Sequence, residues 1–195
     1  LMAKIYPFKG IYYNPGKSRD ISTKVTPPYD VISSIQQDLY YSADPKNIIR
    51  IILGKNRFGK TNVYEKAGRY FRNWRADGTF LQDQVPCFYF WEQKFIIDGK
   101  SFKRRALIVK VRCSDYAKGE ILPHEKTHKK AKEDRLQLFQ ACKAQFSQVF
   151  SLYKDENHEV SSILGECEKD SFFLTANDSE GIESELFRIN DPQII

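Results

Sequence analysis

The apolar positions change period along the chain, and each change marks an element. From Val63 the residues Ala67, Tyr70, Phe71 and Trp74 recur at helical spacing until Asp77-Gly78 supplies a stop, which predicts a helix. Cys87 to Ile97 and Phe102 to Cys113 are two long β-like runs joined around Asp98-Gly99, a favoured composition for a tight hairpin turn. Lys4 to Tyr12 reads as a strand closed by Asn14-Pro15-Gly16. Thr26 to Ile32 is held extended by Pro27-Pro28, after which Ser33 or Ser34 can cap a short helix toward Ala43. The short β-branched run Asn47 to Leu53 predicts a central strand. A helix follows from about Lys132 to Gln145, with Leu136, Phe139, Cys142 and Phe146 on or near one face. Val149 to Tyr153, Ser171 to Thr175 and Glu185 to Ile189 read as three further short strands. Strands mixed with helices and lacking regular β-α-β alternation predict an α+β fold. The sheet should be mixed but largely antiparallel, with a central long hairpin and about three helices.

A chain of 195 residues, 41% hydrophobic and 14% aromatic, can bury one core, so residues 1–195 are expected to form a single α+β region. No window approaches eighteen uncharged apolar residues, and no charged-then-apolar leader precedes the first strand-like run, so a cytoplasmic protein with no membrane partner is expected. Leu1 before Met2 reads as a tag remnant, and the apolar end Asn190-Asp191-Pro192-Gln193-Ile194-Ile195 follows a helix-start signal. The expectation is the N-terminal half of a longer chain. Cys87, Cys113, Cys142 and Cys167 form no C-x-x-C pair, which suits free thiols in a reducing compartment. The net charge of +6 and a pI near 9.0 favour an anionic partner, either a phosphorylated metabolite, a nucleotide or nucleic acid.

Two stretches imitate known motifs. His124-Glu125-Lys126-Thr127-His128 fits the H-E-x-x-H letters of helical zinc hydrolases, in which two imidazoles one turn apart share a metal. No Asp, Glu or His occurs between Asp134 and Asp155 to act as a third ligand, and Lys129, Lys130 and Lys132 would repel a dication. No metal ligand is assigned on this basis. Gly54 to Thr61 satisfies the phosphate-loop formula G-x-x-x-x-G-K-[ST] between a predicted strand and a predicted helix. Its interior carries bulky Arg57 and Phe58, however, and no later strand supplies an obvious magnesium aspartate.

A third constellation joins Tyr29-Asp30, Arg104-Arg105, His124 to Thr127 and Asp134-Arg135. The stretches TPPYDVI, ILPHEKT, KEDRLQLFQA and FSQVFSLY, in this order and separation, resemble the bacterial family catalogued as domain of unknown function 1015. The likeness runs from about Tyr6 to Ile189, and its most specific part is Pro-His-Glu-x-Thr with the downstream Asp-Arg. In that pattern His124, Glu125 and Thr127 match recurrent positions, whereas His128, Gly59 and Lys60 fall where the family varies. The resemblance implies relatives that continue into a second half bearing Gly-His-His-Arg, similar to ParB-like and sulfiredoxin-like nucleotide-handling folds.

Physically, His124 offers an acid or base at neutral pH, Glu125 a carboxylate to orient it or bind Mg²⁺, and Thr127 a hydroxyl. Asp30, held by the stiff Pro-Pro lead, can join them as a metal ligand or substrate clamp. Tyr29, Arg105, Lys126, Asp134 and Arg135 are the candidate substrate or phosphate-binding residues, since cations stabilise an anion that gains charge during phosphoryl transfer. A single acid more often caps a helix or pairs with a lysine. The expected function is a phosphoryl-handling enzyme acting on a small metabolite or nucleotide, with Mg²⁺ and a nucleotide as candidate cofactors. The alternative is a non-catalytic ligand-sensing or nucleic-acid-binding module.

Overall fold

The computed structural model describes residues 3–56, 62–123, 126–167 and 172–190. The architecture is α+β, as the pattern predicts. Strands β1 (Ile5–Tyr6), β2 (Ile11–Tyr13), β3 (Phe80–Gln82), β4 (Phe88–Ile97), β5 (Lys100–Ile108), β6 (Lys110–Val111), β7 (Phe172–Asn177) and β8 (Glu183–Ile189) combine with helices α1 (Ser34–Ala43), α2 (Ile49–Ile52), α3 (Val63–Ala76), α4 (Lys129–Cys142) and α5 (Glu159–Cys167). The main sheet has the order β5-β4-β8-β7 and is antiparallel throughout, and β1-β6 and β2-β3 form two small antiparallel pairs.

The β4-β5 hairpin dominates the sheet because its turn chemistry is right. Asp98 and Gly99 both take positive φ, 50° and 73°, the twist that a two-residue turn between right-twisted strands requires. Alternation along β4 then sends Phe88 and Phe90 to one face and Tyr89 to the other. The first face packs Phe187, Ile189 and Leu164 of α5 into a small core. The second contributes Tyr89 to a larger core holding Phe71 and Trp74 of α3, Leu138 and Cys142 of α4, and Ile51 of α2. The sheet is therefore covered on both sides.

Several boundaries differ from the sequence reading. Asn47 to Leu53 is not a strand: Ile49 to Ile52 form a single helical turn with Ile49, Ile51 and Ile52 all buried. Buried Asn47 starts that turn, its Oδ1 accepting from Ile49 N at 2.9 Å while its Nδ2 donates to Thr23 O at 2.8 Å. Burial on several sides overrides β-branched propensity here. The expected strand from Lys4 to Tyr12 is divided between β1 and β2, with Pro7 and Gly10 in the break. Val149 to Tyr153 forms no strand, and Val149 and Leu152 are 78% and 88% exposed. Helix α4 begins three residues before Lys132 and ends at Cys142, where Lys143 turns left-handed at φ 54°. Five helices are described where about three were expected. The unforeseen α5 is started by Asp155, which accepts from Val160 N at 3.2 Å and Ser161 N at 2.9 Å.

Candidate functional site

The site forms where α4 crosses α3. Leu138 and Cys142, four residues apart, bury one stripe of α4, and Asp134 continues that stripe one turn earlier. Close approach of the helices depends on Gly68, since a Cβ there would lie 2.7 Å from Ala141 O. On α3 the Asn62 side chain caps the helix by accepting from Tyr64 N at 2.9 Å. Tyr64 then donates its hydroxyl to Asp134 Oδ1 at 2.7 Å.

Arg135 folds back over the other carboxylate oxygen. Its Nε donates to Asp134 Oδ2 at 2.8 Å, its Nη2 donates to the same oxygen, and Nη2 also reaches Ile52 O at 2.9 Å. That carbonyl is at the end of α2, where helical acceptors lack internal partners. The guanidinium carbon lies over the ring of Tyr29, 3.6 Å from its centroid. The Pro27-Pro28 lead and a 3-10 turn at Tyr29–Val31 hold that ring in place. Arg135 is thus fixed by a carboxylate, a carbonyl and an aromatic face. Its Nη1 is buried and has no hydrogen-bond partner among the described residues. Burial, with the Asp134 hydrogen bond adding to it, pushes the Tyr64 hydroxyl up to about 12, so it stays a donor at physiological pH.

A second cluster abuts the same connection. The Tyr41 ring has Arg50 and Lys55 each 4.5 Å from its centroid; Arg50 Nη2 donates to Tyr41 O at 2.6 Å, and Lys55 N donates to the Tyr41 hydroxyl at 3.0 Å. Gln37 Nε2 donates to Leu53 O at 2.8 Å. Side chains from α1 and α4 therefore converge on the backbone of residues 52–55.

Of the residues singled out from sequence, Tyr29, Asp134 and Arg135 come together, and Asp30 is exposed beside Tyr29. Lys126 and Thr127 are exposed just ahead of α4, while His124 and Glu125 lie outside the described residues. Arg105 belongs to a different cluster. It sits on β5 with its Nε 3.0 Å from Glu92 Oε2, and Lys103 lies 3.1 Å from Glu92 Oε1. Tyr64, Tyr41, Arg50 and Lys55 were not foreseen, because their roles depend on packing between elements. The only cue for Tyr64 was its place in the first turn of a helix expected to be amphipathic.

Neither look-alike motif keeps its required setting. Residues 126–128 precede the helix, and His128 is extended at φ −64°, ψ 138°, so the described part of the H-E-x-x-H stretch is not helical. Gly54 follows helix α2 and not a strand, and residues 57–61 lie outside the described ones.

The chain matches, over residues 5–195, the family described as a protein of unknown function, DUF1015. It belongs to this family. The matched span takes in every element from β1 to β8 and the whole Tyr29–Arg135 cluster. No curated protein matches the chain, and no solved structure does. Among the described residues of this DUF1015 member, no helix is long and apolar enough to cross a membrane.

Proposed function

We propose that the Tyr29–Arg135 cluster binds the anionic group of a small phosphorylated metabolite or nucleotide, and that the protein handles phosphoryl groups there. The observation that carries this reading is the guanidinium of Arg135, held on three sides with Nη1 left without a hydrogen-bond partner among the described residues. A planar fork fixed in advance loses little freedom when an oxyanion docks, and it suits phosphate or carboxylate better than a lysine would. Asp134 and Tyr64 position it. Exposed Lys126, Lys129, Lys130 and Lys132 make the approach to α4 attractive to anions.

In this reading His124 is the acid or base, and Glu125, with Asp30, holds Mg²⁺ or orients the imidazole. Thr127 adds a hydroxyl to the bound group. Thermal-shift measurements with inorganic phosphate, a nucleoside triphosphate and a phosphorylated amino acid, each with and without Mg²⁺, test the proposal. At least one should raise the melting temperature, and Arg135→Lys should weaken that ligand by about tenfold or more while the protein remains folded. An equal shift in wild type and Arg135→Lys, or none with any of these anions, counts against it.

A further inference from the structure

The β4-β5 hairpin outruns its sheet. Strand β8 pairs with β4 from Phe88 to Lys94, so Phe95↔Phe102, Ile96↔Ser101 and Ile97↔Lys100 form a two-stranded ribbon with no third strand among the described residues. One face of it is an aromatic stripe. Phe95 and Phe102 stack at 6.0 Å and 20°, and Arg104 lies 5.8 Å from the Phe95 centroid and 5.9 Å from that of Trp91. Arg104 is held beside these rings by its Nε, which donates to Gln93 Oε1 at 2.9 Å; Gln93 in turn donates to Ser184 Oγ at 3.2 Å. Phe102 is still 44% exposed, and Ile96 and Ile97 at the tip are 75% and 53% exposed.

Lys94, Lys103 and Arg105 meet Glu92 and Glu185 on the opposite face of the hairpin, and the face of the stripe carries Lys100 and Arg104. Strand β5 is an edge of the sheet, and cations there discourage pairing with another chain. Edge protection, however, requires no half-exposed ring beside a pinned guanidinium. A lipid surface fits less well, because Asp98 and Lys100 sit at the apex that would enter first.

We infer that the distal β4-β5 hairpin is a platform for single-stranded nucleic acid, with bases stacking on Phe102 and Phe95 and phosphates meeting Lys100 and Arg104 on the same face. Unpaired bases expose the flat faces that such a stripe can accept, and backbone phosphates complement these two cations. This inference stands apart from the Arg135 reading, since it uses none of the same residues.

Fluorescence titration of the whole protein with oligothymidine and oligouridine tests it. Trp91 lies on the stripe, whereas Trp74 is buried at 2% exposure in the larger core, so quenching reports on the hairpin. Quenching is expected at low salt, with affinity falling as salt rises. Phe102→Leu, which keeps the apolar bulk but removes the ring, should weaken binding about tenfold, and Lys100→Gln should reduce the salt slope by about 0.7. A duplex of equal length should bind more weakly. Should Phe102→Leu melt early, Arg104→Gln, changed at an exposed position, makes the same test. The inference is overturned by no binding at low salt, by binding that both variants leave unchanged, or by preference for anionic vesicles or an acidic peptide over the oligonucleotides.

Discussion

Arg135 and Asp134 are neighbours in sequence, yet their value as a site comes from residues far away: Tyr64 lies 70 positions from Asp134, and Ile52 lies 83 from Arg135. The Asp-Arg pair and Tyr29 were legible in the sequence because their residue types and the family pattern mark them. Tyr64 was not, because a tyrosine in a first helical turn gives no sign of the helix it will meet. Its titration is a direct check. The folded hydroxyl ionises near 12 against 10.0 for an ordinary tyrosine, so the proton is held more tightly in the native state. The stabilisation this gives is complete below about pH 10 and is lost as pH rises toward 12. Ultraviolet titration should show a component near 12 that disappears in Tyr64→Phe, below the Tyr13 and Tyr89 hydroxyls that burial raises further. The same change should cost about 1 kcal/mol near neutral pH through the lost hydrogen bond. Loss of an ordinary ionisation near 10 instead would contradict the raised Tyr64 hydroxyl. A second residue-scale feature had no sequence signature at all. Buried Asp83 accepts from Tyr12 at 3.0 Å and Arg188 at 2.6 Å, and from Tyr89, whose hydroxyl also accepts from Gly10 N at 2.8 Å. Asp83→Ala removes the carboxylate acceptor shared by Tyr12, Tyr89 and the partly exposed Arg188 and should cost about 1–3 kcal/mol in urea unfolding.

At the scale of elements, the strongest local signals were read correctly, and two short apolar runs, Asn47 to Leu53 and Val149 to Tyr153, were not. Helix α3 carries its own cap and stop, Asn62 and Gly78, and the hairpin carries Asp98-Gly99, so neither depends on neighbours for its identity. The run from Asn47 to Leu53 is too short for periodicity to separate a strand from a buried turn of helix. Asn47 decides between them through its bond to Ile49 N. Helix α5 carries Val160, Ile163, Leu164 and Cys167 at helical spacing but is only nine residues long, and its start depends on Asp155 lying outside the helix. Crossing of α3 and α4, which builds the site, has one sensitive position. Gly68→Ala would press a methyl to 2.7 Å from Ala141 O, and backbone there has little room to yield. Thermal unfolding should show a loss of about 1–3 kcal/mol, together with weaker anion binding as Tyr64 moves from Asp134. Full stability with unchanged binding would contradict the packing described.

On the scale of the whole molecule, a single antiparallel sheet separates two cores of unequal size, and the candidate site belongs to the larger one. The α+β class and the central hairpin followed from the change of apolar period along the chain. Which charged residues meet did not, since Arg105 and Arg135 are both plausible phosphate ligands in sequence and the fold assigns Arg105 to Glu92. In the proposed function Arg135 is a fixed guanidinium that receives an oxyanion. The most direct measurement is a proton-nitrogen spectrum of the arginine side chains, with the Arg135 Nε signal identified by its loss in Arg135→Lys, during titration with inorganic phosphate. The account expects that signal to be protected from solvent exchange before titration and to shift in a saturable way as phosphate is added. An Arg135 signal that exchanges as fast as those of exposed arginines, or that stays unmoved by phosphate, would contradict it.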